Sequence, residues 1–194
     1  MSCISASACN AVGYAETSTS TGEQTLAELW NGSAWSIEAT PNPSGAVDSE
    51  LSGVSCVSAS DCTATGYSET GAGSTTTLAE VWNGSAWAVQ TTPNPSGALD
   101  SFLDGVSCTS ASACTAVGWY ETSPGAYDTL AESWNGSAWA VQSTPNPSGA
   151  SASYLFSASC ASATACTAVG YSLDPTYTAL AEGWNGSVWA LHTA

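Results

Sequence analysis

The chain has 194 residues and a formal net charge of −16, because all sixteen of its charged residues are aspartate or glutamate. With no lysine or arginine to displace counterions from phosphate groups, nucleic acids and anionic membrane surfaces are poor partners. No uninterrupted apolar stretch is long enough to cross a bilayer, so we expect no membrane insertion.

A hexapeptide recurs four times along the chain. It reads W-N-G-S-A-W from Trp30, Trp82 and Trp134, and W-N-G-S-V-W from Trp184. A period near fifty residues, with glycine, tryptophan and alternating apolar positions, is typical of a four-stranded propeller blade. The sequence therefore predicts one all-β domain over residues 1–194, with blades at about 1–47, 48–99, 100–151 and 152–194.

The second copy shows the predicted elements most clearly in chain order. Strands are expected at 53–56, 62–67, 77–82 and 87–91, where β-branched and aromatic residues alternate between turn residues. Asn83-Gly84 tolerates positive φ and can close a hairpin between the third and fourth strands. Pro93 to Gly97 cannot lie in a central strand and is expected to link one blade to the next.

The eight cysteines form four pairs with identical C-x5-C spacing. This spacing is not typical of zinc sites, and the single histidine, His192, could not complete four of them. An even, regularly spaced set predicts one disulfide within each repeat and a secreted or cell-surface protein. Met1 is followed directly by Ser2-Cys3, so any signal peptide is expected outside this sequence. The predicted pairs are Cys3 with Cys9, Cys56 with Cys62, Cys108 with Cys114, and Cys160 with Cys166.

One face of the third strand is the same in every copy. In the second copy Leu78, Glu80 and Trp82 share this face, which we expect to pack between blades. A carboxylate on a packed face needs a partner in a chain that has no cations. We expect a hydrogen bond to backbone of the adjacent strand or turn, and a ring of metal-binding or catalytic carboxylates is the alternative. The glutamates concerned are Glu28, Glu80, Glu132 and Glu182.

These repeats resemble kelch-type propeller repeats. The matching features are the A-V-G-Y strands at 11–14 and 168–171, a third strand that ends in tryptophan, a second tryptophan after a turn, and a following proline. The kelch diglycine is missing, because Gly66 is followed by Tyr67 and Gly118 by Trp119. The frame S-C…C…G-Y…W-N-G…W is closer to a group of secreted bacterial repeats. The resemblance implies a propeller, with a closed four-bladed ring or part of a larger ring both open.

The loops between the second and third strands differ in length between copies, as ligand-binding loops on a fixed scaffold often do. Carboxylates are concentrated at this end of the blades. We expect ordinary solvated loops here, and a calcium-binding surface is the alternative, because hard carboxylate oxygens suit Ca²⁺ as a candidate cofactor. The candidate binding face consists of Glu16, Glu69, Glu121, Asp174, Asp48 and Asp100.

The hexapeptide itself offers two further candidates for function. Its asparagines begin N-G-S sequons, although a tight turn also explains Asn-Gly. We expect core packing for the paired tryptophans, and stacking on sugar faces, as in lectins, is the alternative. The candidate glycosylation sites are Asn31, Asn83, Asn135 and Asn185.

Near-identical repeats, disulfides and low charge favour a non-enzymatic extracellular scaffold for adhesion or self-association. The alternative is a lectin-like propeller that binds glycans, with calcium as a candidate requirement. A hydrolase or oxidase is disfavoured because no usable histidine or cysteine set is present for a triad or copper site. His192 replaces Gln90 and Gln142 on a strand face expected to be exposed, so we assign it no role.

Overall fold

The computed structural model of the protein describes residues 1–16 and 22–192, which form sixteen β-strands. Successive groups of four strands form antiparallel units, called here blades 1 to 4 in chain order. Blade 1 contains β1 (Ser2–Ser5), β2 (Ala8–Glu16), β3 (Glu23–Trp30) and β4 (Trp35–Glu38). Blade 2 contains β5 (Ala46–Ser58), β6 (Asp61–Thr70), β7 (Thr75–Trp82) and β8 (Trp87–Gln90).

The second half of the chain repeats this plan, which confirms the predicted repeats. Blade 3 contains β9 (Ser101–Ser110), β10 (Ala113–Ser123), β11 (Ala126–Trp134) and β12 (Trp139–Gln142). Blade 4 contains β13 (Ala152–Ser162), β14 (Ala165–Asp174), β15 (Thr176–Trp184) and β16 (Trp189–Leu191). No helix in the described ranges could cross a membrane. The variable loop at 17–21 and the last two positions of the predicted fourth blade lie outside the described residues.

The N-G-S hairpins owe their shape to the asparagine side chain and the glycine. In blade 2, Asn83 Oδ1 accepts hydrogen bonds from the backbone N–H groups of Ser85 and Ala86 at 2.9 and 3.0 Å. Gly84 has a φ of 90°, a conformation that glycine adopts without strain. The same bonds recur in the other blades, so the turn accounts for the conserved triplet without a glycan. Glycosylation stays a prediction.

The first strands of blades 2, 3 and 4 are longer than the sequence pattern predicts. In blade 2 the expected strand at 53–56 extends over Ala46–Ser58. Its pairing with β6 shifts between Leu51 and Gly53, which leaves Ser52 as a bulged residue. A bulge interrupts the two-residue alternation, so the sequence pattern does not assign residues 46–52 to the strand.

The four cysteine pairs form disulfides within the blades, as their spacing predicts. Each bridge joins directly opposite residues of the first two strands, such as Cys56 and Cys62 with Cα atoms 4.0 Å apart. The turn that each bridge encloses lies at the same end as the N-G-S hairpin, because the Trp82 indole donates to the carbonyl of Ala59 at 3.1 Å. These two turns therefore lie at one end of each blade, and the variable loops lie at the other.

Removing the bridge of blade 2 with Cys56→Ala and Cys62→Ala should lower the free energy of unfolding by about 2 kcal/mol through chain entropy, and further through lost packing. Cys62 is 1% exposed and packs between blades 1 and 2, whereas Cys3 is exposed. The matched double variant Cys3→Ala and Cys9→Ala removes a bridge that closes a loop of the same length. Urea unfolding should therefore show a smaller loss of stability for it. Equal losses would contradict the packing contribution.

The blades stack face to face in chain order. The leucine, glutamate and tryptophan face of each later blade packs on the alanine and threonine face of the blade before it. Between blades 1 and 2, for example, Leu78 and Trp87 bury against Ala27. Equivalent clusters join blades 2 and 3 and blades 3 and 4. The expected packing of this repeated face between blades is confirmed for the last three blades.

In the described part of the chain the stack is open, because one face of blade 1 and one face of blade 4 stay uncovered and no sheet joins these two blades. Trp35 of blade 1 is 43% exposed, whereas the equivalent Trp87 is 4% exposed. At the other end Val169 is 47% exposed, whereas the equivalent Val117 is completely buried. The prediction of a closed four-bladed ring is therefore not confirmed, and membership of a larger ring stays a prediction.

Candidate functional site

A cleft lies between the outer edge of blade 2 and the N-G-S hairpin of blade 3. Gln90 ends β8, and Thr92 and Pro93 follow it in the link to the next blade. Opposite them stand Trp134 and Trp139, which border the hairpin between β11 and β12. The cleft has a volume of about 450 Å³, which is enough for a small molecule.

The same cleft recurs one junction further along the chain. Gln142, Thr144 and Pro145 of blade 3 face Trp184 and Trp189 of blade 4 around a volume of about 380 Å³. The repeat therefore places the same groups in the same order at two successive junctions, although the first cleft carries Ala138 where the second carries Val188.

A hydrogen bond across the junction sets the position of the glutamine in each cleft. The Trp139 indole N–H donates to Gln90 Oε1 at 2.8 Å, and the Trp189 indole N–H donates to Gln142 Oε1 at 2.8 Å. Both glutamines are therefore half-buried, so the expectation of an exposed strand face at this position does not hold for them. His192 holds the equivalent place at the end of blade 4, where it is exposed.

The junction between blades 1 and 2 differs at this position. Glu38 stands in place of the glutamine, and its carboxylate accepts a bond from Ser36 at 3.3 Å. The indole N–H of Trp87 is buried there without a partner. The fold therefore tolerates an unpaired indole at one junction. The indole–glutamine bond at the other two junctions is thus not required for two blades to pack together.

The two indoles of each hairpin form a close, tilted pair. The ring centroids of Trp134 and Trp139 are 5.7 Å apart at an interplanar angle of 40°. The Trp134 indole N–H donates to the carbonyl of Ala111 at 3.1 Å, so this ring is held from the cysteine turn. Trp139 is 5% exposed and belongs to the core, whereas Trp134 is only half-buried. Half-exposed aromatic surface beside amide and hydroxyl groups can bind a ligand that has both apolar and polar faces.

The repeated glutamates have no hydrogen bonds where a blade covers them. Glu80, Glu132 and Glu182 are completely buried, and both carboxyl oxygens of each lack a partner. The predicted bond to backbone is therefore wrong, because this face packs on the side chains of the preceding blade rather than on its strand edges. Nor does any cluster of three histidine, cysteine, aspartate or glutamate side chains in residues 1–16 and 22–192 offer a metal site.

Burial raises the pKa of Glu80 and Glu132 to about 8 and that of Glu182 to about 7. A threonine hydroxyl of the preceding blade, Thr25 in the case of Glu80, partly offsets the shift without a hydrogen bond of normal geometry. Glu80 and Glu132 are therefore mainly protonated at neutral pH, and Glu182 is partly protonated. A protonated carboxyl carries no charge, so it can be buried without a neighbouring cation.

The acidic residues predicted as a binding face lie at the opposite end of the blades from the clefts. Three of them accept a hydrogen bond from a backbone N–H group in or beside a loop. Asp48 accepts from Glu23 at 2.7 Å, Asp100 from Thr75 at 2.8 Å, and Glu121 from Gly125 at 2.9 Å. The other three, Glu16, Glu69 and Asp174, lie at the loop ends of β2, β6 and β14. A ligand at this face stays a prediction.

The same end carries a chain of aromatic contacts that the sequence reading missed, called here the aromatic row. Its rings cross two blade junctions with neighbouring centroids 4.0 to 6.2 Å apart. The repeat alignment could have revealed this row, because Phe102 in blade 3 and Tyr154 in blade 4 occupy the repeat position of Glu50 in blade 2. The row consists of Tyr67, Phe102, Trp119, Tyr127, Tyr154, Phe156, Tyr171 and Tyr177.

Comparison with known proteins finds no matching family model and no matching curated protein. Among solved structures, the chain is similar to the N224Q mutant of Aleuria aurantia lectin in complex with alpha-methyl-L-fucoside. The TM-score is 0.52 at 13% identity, over 96% of this chain and 62% of the lectin. A fucose lectin from Kordia zhangzhouensis, in complex with methyl-fucoside, matches 73% of this chain and 98% of its own at 14% identity and a TM-score of 0.48.

At these identities the likeness to Aleuria aurantia lectin concerns the fold alone. The chain spans less than two thirds of that lectin's length, since the match covers 62% of it. The kelch resemblance stays a prediction, because no family model supports it. The protein is an all-β, propeller-like stack of repeated four-stranded units with one disulfide in each unit.

Proposed function

We propose that the protein is a non-enzymatic carbohydrate-binding protein whose sites are the clefts at the second and third blade junctions. The observation that carries the proposal is the recurrence of one cleft, with an indole pair opposite a glutamine, a threonine and a proline, at both junctions. Repetition of a binding site with the structural repeat suits a lectin, because multivalent binding raises avidity for surfaces rich in one sugar.

The chemistry of the cleft matches a pyranose ring. The half-buried side chain of Trp134 offers apolar surface for the C–H face of a sugar, while the amide N–H groups of Gln90, whose Oε1 is held by Trp139, offer polar contacts. The fold likeness to a lectin solved with alpha-methyl-L-fucoside makes that sugar the first probe. The four disulfides suit an oxidising compartment, which supports an extracellular location for glycan binding.

The geometry gives less support to the other candidate function, a scaffold for adhesion or self-association. Head-to-tail assembly would add a second copy to blade 4 in the manner of the existing junctions. At Gly105 a Cβ would lie 2.7 Å from the carbonyl oxygen of Phe156, so the existing packing needs glycine. Blade 4 has Ser157 at this repeat position, and it has Ala179 where the other blades carry the threonine that faces the next glutamate. Its outer face therefore lacks two features of the existing junctions.

A glycan array followed by calorimetry with methyl α-L-fucoside and other methyl glycosides tests the proposal. We expect two equivalent sites per chain and a loss of affinity of about tenfold when Gln90→Ala and Gln142→Ala are combined, because one charge-neutral hydrogen-bonding partner is removed from each site. The matched control is Glu38→Ala, at the same repeat position of the junction that lacks the indole bond.

The control variant should bind as the unaltered protein does, and thermal unfolding should show that all variants fold. An array without a bound glycan, both with and without added calcium, would refute the proposal. Binding that the double variant leaves unchanged would move the site away from the clefts.

A further inference from the structure

The third junction, between blades 3 and 4, holds a second cavity beside its cleft. This space, called here the inner cavity, has a volume of about 190 Å³, which is room for about six water molecules. Gln142 and Trp184 line both the cleft and the inner cavity. The two spaces are therefore neighbours along these side chains, and one ligand can extend from the cleft into the inner cavity.

The inner cavity is reached from solvent at the cysteine turns. Thr109 of blade 3 and Ala163 of blade 4 line it, lie between the paired cysteines of their blades, and are exposed. The N-G-S hairpin that borders the cleft lies at this same end of the blades. In the described part of the chain, the residues that line the cleft and the inner cavity are all uncharged, which favours a neutral ligand.

Hydroxyl groups give the inner cavity its capacity for hydrogen bonds. Ser107 Oγ accepts from the backbone N–H of Cys160 at 3.0 Å. Thr109 Oγ1 donates to the carbonyl of Ala113 at 3.4 Å, so both of these side chains are already engaged. Ser133 also lines the cavity, and its side chain makes no hydrogen bond within the described residues. Its hydroxyl can both donate and accept, as contact with a sugar hydroxyl requires.

The matching place at the second junction carries different side chains. Val81 stands where blade 3 has Ser133, since each pairs with the threonine that follows the second cysteine of its blade. Asp61 stands where blade 3 has Ala113. Valine occupies more space than serine and has no hydroxyl, and aspartate adds a negative charge. The second junction therefore offers a neutral ligand less room and fewer hydrogen-bonding groups beside its cleft.

We propose that the third junction binds two consecutive residues of a neutral glycan, whereas the second junction binds one. This inference rests on the proposed carbohydrate-binding function. At the third junction the first sugar residue occupies the cleft beside Trp184, and the next residue extends into the inner cavity, where the Ser133 hydroxyl contacts it. The two clefts stay equivalent for a single sugar and differ only for a longer glycan.

Calorimetry on the intact chain with a monosaccharide and with disaccharides tests the proposal. The probes are methyl α-L-fucoside and fucosyl-N-acetylglucosamine in its different linkages. We expect one affinity at both sites for the fucoside, and for at least one disaccharide a site about tenfold tighter than the other, because the inner cavity adds contacts at one junction only. Gln142→Ala should weaken the tighter site, and Gln90→Ala the weaker one. If the glycan array selects another sugar, its methyl glycoside and disaccharides replace these probes.

The variant Ser133→Val gives blade 3 the side chain that blade 2 already carries at this repeat position, so the fold should accept it. It should weaken the tighter disaccharide site by about tenfold, to the affinity of the other site, and leave fucoside binding unchanged. Val81→Ser is the matched control, because it makes the reverse exchange at the second junction and should leave the tighter site unchanged. Thermal unfolding would verify that both variants fold.

Equal affinity of the two sites for every disaccharide would overturn the inference and leave the clefts as single-sugar sites. A tighter disaccharide site that Ser133→Val leaves unchanged would overturn it as well, because the second residue would then lie outside the inner cavity. Absence of binding by every glycan would refute the proposed function, and this inference with it.

Discussion

Raising the pH from about 4.5 to about 8 should lower the free energy of unfolding by several kcal/mol, because three carboxyls buried between the blades resist ionisation. Glu80, Glu132 and Glu182 are completely buried in the folded protein, whereas the unfolded chain exposes them to water. Each unit of difference in pKa between the two states corresponds to about 1.4 kcal/mol.

The direction follows from the protons bound in each state. Below the ordinary pKa of 4.5 the glutamates are protonated in both states, and their contribution to stability is fully present. Between that value and the folded pKa, about 7 for Glu182 and about 8 for the other two, the folded state holds protons that the unfolded state has released. Stability is therefore lost as the pH rises through this window and changes little further above it.

Urea unfolding at several pH values between about 4.5 and about 8.5 would measure this loss, and the triple variant with glutamine at the three buried positions should largely abolish it. Glu28→Gln is the matched control, because Glu28 has the same repeat position but lies on the uncovered face of blade 1, where it is only half-buried. The control should keep the pH dependence of the unaltered protein. A triple variant with an unchanged slope would show that the three carboxyls are not its cause.

The substitution Gly118→Ala should cost at least about 3 kcal/mol of stability, because the added methyl group has no room beside the bulged first strand. A Cβ on Gly118 would overlap the carbonyl oxygen of Phe102 and lie 2.9 Å from the Cα of Leu103. These are backbone atoms of β9, which cannot rotate away as a side chain could. Gly66 and Gly170 meet the equivalent carbonyls in blades 2 and 4.

Gly13 provides the internal control for this prediction. It holds the same repeat position, but nothing lies within 4 Å of its ideal Cβ, because β1 pairs with β2 only at Ala8, Cys9 and Asn10. Gly13→Ala should therefore be close to neutral in thermal and urea unfolding. Similar losses for the two variants would indicate a backbone requirement for glycine rather than the close approach of β9.

The local features of this protein were readable from the sequence because short segments encode them. The N-G-S hairpin needs only the Asn83 side chain and the positive φ of Gly84, both within one turn. The disulfides join residues six positions apart in the chain. The alternation of Leu78, Glu80 and Trp82 correctly indicated which face packs between blades.

Features that depend on how one blade meets the next were not readable in this way. The bond between Trp139 and Gln90 joins residues 49 positions apart, so no local pattern reveals it. The invariant glutamates looked as if they should have partners, but the faces that cover them offer none. The bulges in the first strands were also not readable, because a shift in pairing redirects side chains without any change in composition.

The sequence by itself determined the repeat, the strands, the hairpin chemistry and the disulfide pairs, since each rests on contacts within a single blade. Only the tertiary structure decided that the stack is open, that the tryptophan hairpins border clefts, and that aromatic rings gather at the opposite end. Those features arise from the packing of separate blades, where the geometry of close contact, rather than the periodicity of either segment, selects which side chains meet.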